Sequence, residues 1–128
     1  MTVATYGSGT PWCANIFYAY IAAANVFVFT SDSHTRHARE ALADVRVAAS
    51  IVLETRIVGK VQGLQMTGAM RPVGKTDGNS FRNAYLKRFP YAAAAPLELW
   101  ILEPDYMKLT DNTLGFGKKL YWEAGEKD

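Results

Sequence analysis

The stretch "FTSDSHTRHARE", Phe29–Glu40, decides how the rest of the chain is read. The β-branched and aromatic run Asn25-Val26-Phe27-Val28-Phe29 ends there at Ser31-Asp32-Ser33. Ala38, Ala41, Leu42 and Val45 then recur at helical spacing, which predicts a strand feeding directly into a helix with Ser33 as its N-cap. The helix opens on His34, Arg36 and His37, whereas the positive end of a helix dipole ordinarily attracts acidic side chains. Helix-terminal amides, the hydroxyls of Ser31, Ser33 and Thr35, and a guanidinium together suit a phosphate-like dianion. The competing reading is plain: Arg36 pairs with Asp32 or Glu40, and both histidines are exposed surface groups.

The chain of 128 residues is about one domain long, and a hydrophobic fraction of 49% with 12% aromatics suits a packed core rather than disorder. A net charge of only +2 points to no global attraction for nucleic acid or an anionic membrane, so anion recognition has to be local. Residues 1–31 carry no Asp, Glu, Lys or Arg. Pro11, Asn15 and Asn25 interrupt that region, which argues against a membrane span, and no Lys or Arg precedes it as in a signal peptide. The expected location is cytoplasmic.

Thr2 to Tyr6 reads as a strand turning at Gly7-Ser8-Gly9 into a second strand, Trp12 to Tyr20. Val47 to Leu53 is almost continuously apolar, the pattern of a strand covered on both faces. In the strand from about Ile57 to Val73, the apolar phase changes between Val61 and Leu64, predicting a bulge near Gly63. Asn79 or Ser80 caps a second helix whose apolar face carries Phe81, Tyr85 and Phe89, and Pro90 ends it. Arg82, Lys87 and Arg88 read as its solvated flank rather than a nucleic-acid patch. Leu97 to Leu102, Tyr106 to Leu109 and Lys118 to Trp122 supply the remaining strands. Several strands with two intervening helices suggest a small closed or split barrel. Because the chain begins inside an apolar strand, either a partner subunit covers that end or an N-terminal piece precedes it.

Among other chemistry-bearing groups, Cys13 is expected as a small buried strand residue, with a nucleophilic role beside His34 or His37 lacking any supporting motif. His34 and His37 can share a helix face but have no third metal ligand. "LTDNTLGFGKK", Leu109–Lys119, has glycines that permit close backbone approach and two lysines, yet not the Walker spacing. Asn15 near Phe17, and Gln62 and Gln65 around Gly63, offer amides that match the mixed edge of a flat heterocycle such as a flavin or that simply bond within the structure.

Taken in order, "PWCANIFYAY", "FTSDSHTRHARE", "GLQMTGAMRPV", "AYLKRFPYA" and "LTDNTLGFGKK" resemble the YhbP-like branch of the pyridoxamine phosphate oxidase-like superfamily, over about Val3 to Trp122. The resemblance implies a mainly β fold: a six-stranded antiparallel split β-barrel with two or more short helices, assembled as a homodimer with FMN at the subunit interface. It further implies that Thr35, Arg36 and His37, with Ser31, grip the FMN phosphate, and that Asn15, Ile16 and Phe17 lie along the isoalloxazine. Gln62 and Gln65 approach the ring from the long strand, and Phe116 and Lys118 reach across from the other subunit. The activity implied is transfer of hydride or electrons through FMN between small-molecule donors and acceptors, with no catalytic side chain. The alternative is a non-catalytic flavin or haem module of the same fold. Asn15 and His37 stand where oxidases of the superfamily commonly carry Arg and Lys, and the C-terminal Trp and Arg pair that holds a phosphopyridoxyl substrate is not recognisable.

Overall fold

A computed structural model describes residues 1–126. β1 (Thr2–Gly7) turns through Ser8-Gly9, both at positive φ, into β2 (Thr10–Asn15). β3 (Tyr18–Ile21) and β4 (Val26–Thr30) form the next hairpin. α1 (Arg36–Ala43) leads to β5 (Arg46–Val52) and β6 (Gln62–Pro72), then α2 (Gly78–Arg88), β7 (Leu99–Asp111) and β8 (Lys119–Glu123), with short 3-10 turns at Val58–Lys60, Pro90–Ala94 and Asn112–Leu114. All pairings are antiparallel, in the order β2-β1-β5-β6-β7-β4-β3 with β8 beside β7.

The sheet therefore has eight strands and remains open, rather than the six expected. The predicted Trp12–Tyr20 strand accounts for part of the difference. Asn15 pairs with Thr2 at one edge of the sheet and Tyr18 with Phe29 at the other, so the chain crosses from edge to edge at Ile16-Phe17. Ile16 is tied at that bend by its N–H to the Met1 carbonyl, 2.9 Å. β7 continues unbroken where two strands were expected, because its Pro104 pairs with Gly68 beside the register shift at Thr67, a place in a ladder where a missing N–H is tolerated.

The bulge predicted near Gly63 is absent: Gln62 to Thr67 pair in regular register, and the ladder shifts only between Thr67 and Gly68, where Asp105 of β7 is the extra residue. Val61 lies in the turn before β6, so the phase change it suggested never enters the ladder, and Leu64, Met66 and Met70 stay on one face. The strand buried on both faces is β4, not β5. Phe27 and Phe29 enter a core with Val3, Val47, Met66, Trp100 and Leu102, closed at one end by Ala38 and Ala41 of α1. Val28 faces a second cluster with Ala19, Ile101 and Tyr85, covered by α2. β5 has one apolar layer only: Val47 and Ala49 are buried while Ala48 and Ser50 are exposed. On that outer side Cys13 is exposed, contrary to expectation, because β2 is an edge strand with no layer above it.

At the helices, Ala38 and Ala41 are buried as predicted, but Leu42 and Val45 are exposed. Thr35, not Ser33, occupies the N-cap position of α1, and no side chain caps that end. α2 starts earlier than expected, with Asp77 rather than Asn79 or Ser80 at its N-cap position, and Phe81, Tyr85 and Phe89 do form its packing face.

Candidate functional site

The loop joining β4 to α1 is held on three sides. The Ser31 N–H bonds to the Glu98 carbonyl (3.1 Å), the Ser33 N–H to the Glu98 carboxylate (3.0 Å), and the buried Trp100 indole N–H to the Ser31 carbonyl (3.1 Å). Thr35 N–H and Oγ1 both bond back to the Asp32 carbonyl, at 3.0 and 2.8 Å. A short polar loop so pinned to the β7 entrance presents its hydroxyls in one fixed arrangement, which is what ligand binding needs.

That arrangement is a triangle. Ser31 Oγ lies 2.7 Å from His37 Nε2, Thr35 Oγ1 lies 3.3 Å from the same nitrogen, and the two hydroxyls are 3.3 Å apart. It sits at the start of α1, where no side chain caps the helix and no acidic residue occupies the first turn, so the dipole and the unpaired amides add positive potential there, opposed by the Asp32 and Glu98 carboxylates of the loop. Burial holds the His37 imidazole below its ordinary pKa of 6.5, and the Glu40 charge opposes this weakly. The ring is thus biased towards its neutral form until an anion arrives.

The triangle lines a groove of about 240 Å³ together with Asn15, Ile16 and Phe17. Edge-crossing of the chain at Ile16-Phe17 brings this wall to the helix start. Thr30 and Tyr85 complete the floor, with Thr30 Oγ1 and the Tyr85 hydroxyl 3.3 Å apart. Asp32 also lines the groove; its carboxylate accepts the His34 N–H at 2.7 Å, an Asx turn that offsets part of its charge. Tyr85 was visible in the sequence only as part of an apolar helix face. A tyrosine in such a stripe carries a hydroxyl that needs a partner, and that was the available signal.

The other candidates lie elsewhere in the chain. Arg36 leaves the helix start on the opposite side, with Nε 2.8 Å from Glu40 Oε1 and the guanidinium 4.6 Å above the Trp12 ring. Glu40 is fixed in turn by the Thr5 hydroxyl at 2.5 Å, so the ion pair foreseen between Arg36 and Glu40 is formed. His34 is exposed. Gln62 and Gln65 are three apart in an extended strand and so face opposite sides of β6. Gln62 Nε2 donates to the buried Asp111 carboxylate (3.0 Å), which also accepts from Thr113 N–H and Oγ1, while Gln65 is exposed on the outer face opposite Lys108. Phe116 is 87% exposed, and Lys118 is exposed in the turn before β8. Among the described residues no three His, Cys, Asp or Glu side chains converge as a metal site, and no helix is long and apolar enough to cross a membrane.

No family model matches the chain. It is 38% identical over 126 residues to a UPF0306 protein of Enterobacter sp. (strain 638), covering 98% of this chain and 89% of that one. It is also 38% identical over 122 residues to the UPF0306 protein YhbP of Salmonella paratyphi A, covering 95% and 83%. Among solved structures, a heme binding protein from Mycobacterium smegmatis superposes with a TM-score of 0.76 at 18% identity over 95% of this chain, which spans about half (51%) of that longer one. A general stress protein 26-related member of the pyridoxinephosphate oxidase family from Clostridium acetobutylicum gives 0.65 at 12% identity, covering 96% and 84%. An FAD-binding protein from Mesorhizobium loti gives 0.68 at 14%, covering 84% and 80%. From the identity and coverage of its relatives and the shared architecture, the chain belongs to the UPF0306 family of YhbP-like proteins and has the fold of the pyridoxamine phosphate oxidase-like split barrels.

Proposed function

We propose that the groove at the start of α1 receives the phosphate end of FMN and that a second copy of the chain closes over the flavin ring. The observation that carries this reading is the Ser31, Thr35 and His37 triangle at an uncapped helix start, in the same groove as Asn15, Ile16 and Phe17. Two hydroxyls, an imidazole and free amides are donors a dianion can use together. Asn15 offers an amide, and Phe17, 79% exposed, an apolar surface for a planar ring. At about 240 Å³ the groove falls below the roughly 300 to 1,000 Å³ of complete small-molecule sites, which favours a site finished by another surface. Exposed apolar side chains suited to pairing lie around the first and third 3-10 turns, which pack on each other: Ile57, Val58, Leu114 and Phe116. In a homodimer, Phe116 and Lys118 of one copy would approach the groove of the other.

FMN, when bound, would supply hydride or electron transfer between small-molecule partners. This chain's residues would bind and orient it. Ser31 would donate its hydroxyl hydrogen bond, Thr35 would join by turning its hydroxyl away from the Asp32 carbonyl, and His37 would gain a proton and become a charged donor beside the phosphate. Arg36 would join only by leaving Glu40 and Trp12. The flavin-binding neighbours are consistent with this assignment. The heme binding neighbour favours a second reading, a haem module without turnover, in which the exposed His34 would be the accessible imidazole.

Titration of the purified protein with FMN and with riboflavin, followed by exposure to NADH and NADPH, tests the proposal. FMN is expected to bind more tightly than riboflavin, with bound-flavin absorbance bleaching on reduction. Equal affinity for the two flavins would remove the phosphate cradle, and a Soret band in place of flavin absorbance would select the haem reading.

A further inference from the structure

One edge of β7 is paired with β6, and the other has two neighbours along it. Its first residues pair with β4, Phe27 opposite Leu102, and its last with β8, Tyr106 opposite Glu123. Between Leu102 and Tyr106 neither strand borders it, so the β3–β4 and β7–β8 hairpins diverge. Their divergence opens a cavity of about 440 Å³ on the core side of the sheet. One wall is a single cross-strand row, Ile51, Leu64, Leu109 and Leu120, contributed by four adjacent strands. Tyr20, Phe27 and Trp122 present aromatic surfaces around it. None of its lining side chains is charged.

We propose that this cavity is a second binding site, separate from the groove at α1, for an uncharged, flat molecule of two or three aromatic rings. Its volume lies within the roughly 300 to 1,000 Å³ of small-molecule sites. A charged ligand would lose its hydration there and find no counter-charge. The hydroxyl of Tyr20 is already committed to Asn25 Oδ1 at 2.8 Å. An extended peptide segment is a poor occupant for a related reason: it would bring unpaired backbone N–H and C=O groups into a cleft that offers them almost no partners. A protein partner is better matched by the exposed apolar set around Ile57, Val58, Leu114 and Phe116. Aromatic walls of this kind favour stacked or edge-on contact with a planar ring system.

N-Phenyl-1-naphthylamine, a neutral aromatic probe that brightens on leaving water, tests the site directly. Saturable 1:1 enhancement is expected, with energy transfer from Trp122 that falls in Trp122→Phe although binding persists. Leu120, at 43% exposure on the rim, tolerates change without disturbing the buried core. Leu120→Trp should fill the cavity and Leu120→Asp should charge its mouth, each weakening the probe by about tenfold or more. Absence of saturable enhancement, enhancement untouched by either variant, or displacement of the probe by FMN would overturn the proposal. So would conversion of a dimer to monomer by both variants, since the cavity would then be filled by the second copy.

Discussion

His37 couples the groove to pH. Its imidazole is held below 6.5 chiefly by burial, so the folded chain binds fewer protons than the unfolded chain as pH falls through that region. Stability attributable to this residue is therefore fully present above 6.5 and is lost as pH drops through the lowered folded value. An arriving dianion reverses the preference and draws a proton onto the ring. FMN affinity is accordingly expected to rise as pH is lowered from about 8 to about 6.5, until the phosphate itself protonates near its second pKa of roughly 6. Fluorescence titrations across that range should show the rise in the parent and a flat profile in His37→Gln. His37→Ala should lose about 1.5 to 3 kcal/mol of FMN binding, one charge-assisted contact. Arg36→Ala should lose less, because recruiting Arg36 means giving up its Glu40 pair and its stacking on Trp12; isothermal titration of the two variants ranks them.

Elements rather than single side chains decide whether the groove keeps its shape. The β4–α1 loop depends on β7 through Trp100, whose indole N–H reaches the Ser31 carbonyl from a position only 2% exposed. Trp100→Phe leaves that buried carbonyl without its partner, and a loss of about 1 to 3 kcal/mol in urea unfolding is expected together with weaker FMN binding. The β6–β7 bulge is equally constrained. A Cβ on Gly68 would collide with the Glu103 carbonyl oxygen and stand 2.9 Å from the Pro104 Cα, both backbone atoms that cannot swing aside. Gly68→Ala should destabilise the fold by about 1 to 3 kcal/mol, read from the denaturant midpoint. By contrast, Gly63→Ala meets open space and should change the midpoint little.

For the molecule as a whole, the proposed function stands on assembly. Phe116 is 87% exposed in one copy, a poor state for a large apolar side chain in water. Phe116→Glu is expected to shift sedimentation towards the monomer and, in parallel, weaken FMN by about tenfold or more. A variant that stays dimeric and binds FMN as the parent does would take this segment out of the interface.

Local chemistry made much of the chain readable in advance. The hydrophobic period placed α1 and α2 and the hairpin at Ser8-Gly9, because amphipathic spacing and turn residues are properties of a few neighbouring positions. The polar, cationic opening of α1 was legible for the same reason. The remaining features depend on pairings far apart in sequence. Which strand is buried on both faces, where the ladder slips, and why Cys13 faces outward follow from β4 lying inside the sheet and β2 at its edge. Likewise Arg36 and His37 are adjacent in the chain, yet successive helical positions point about 100° apart. The fold thus turns one into the groove and the other onto Glu40 and Trp12, a choice that packing against β1 and β2 makes and neighbouring residues do not.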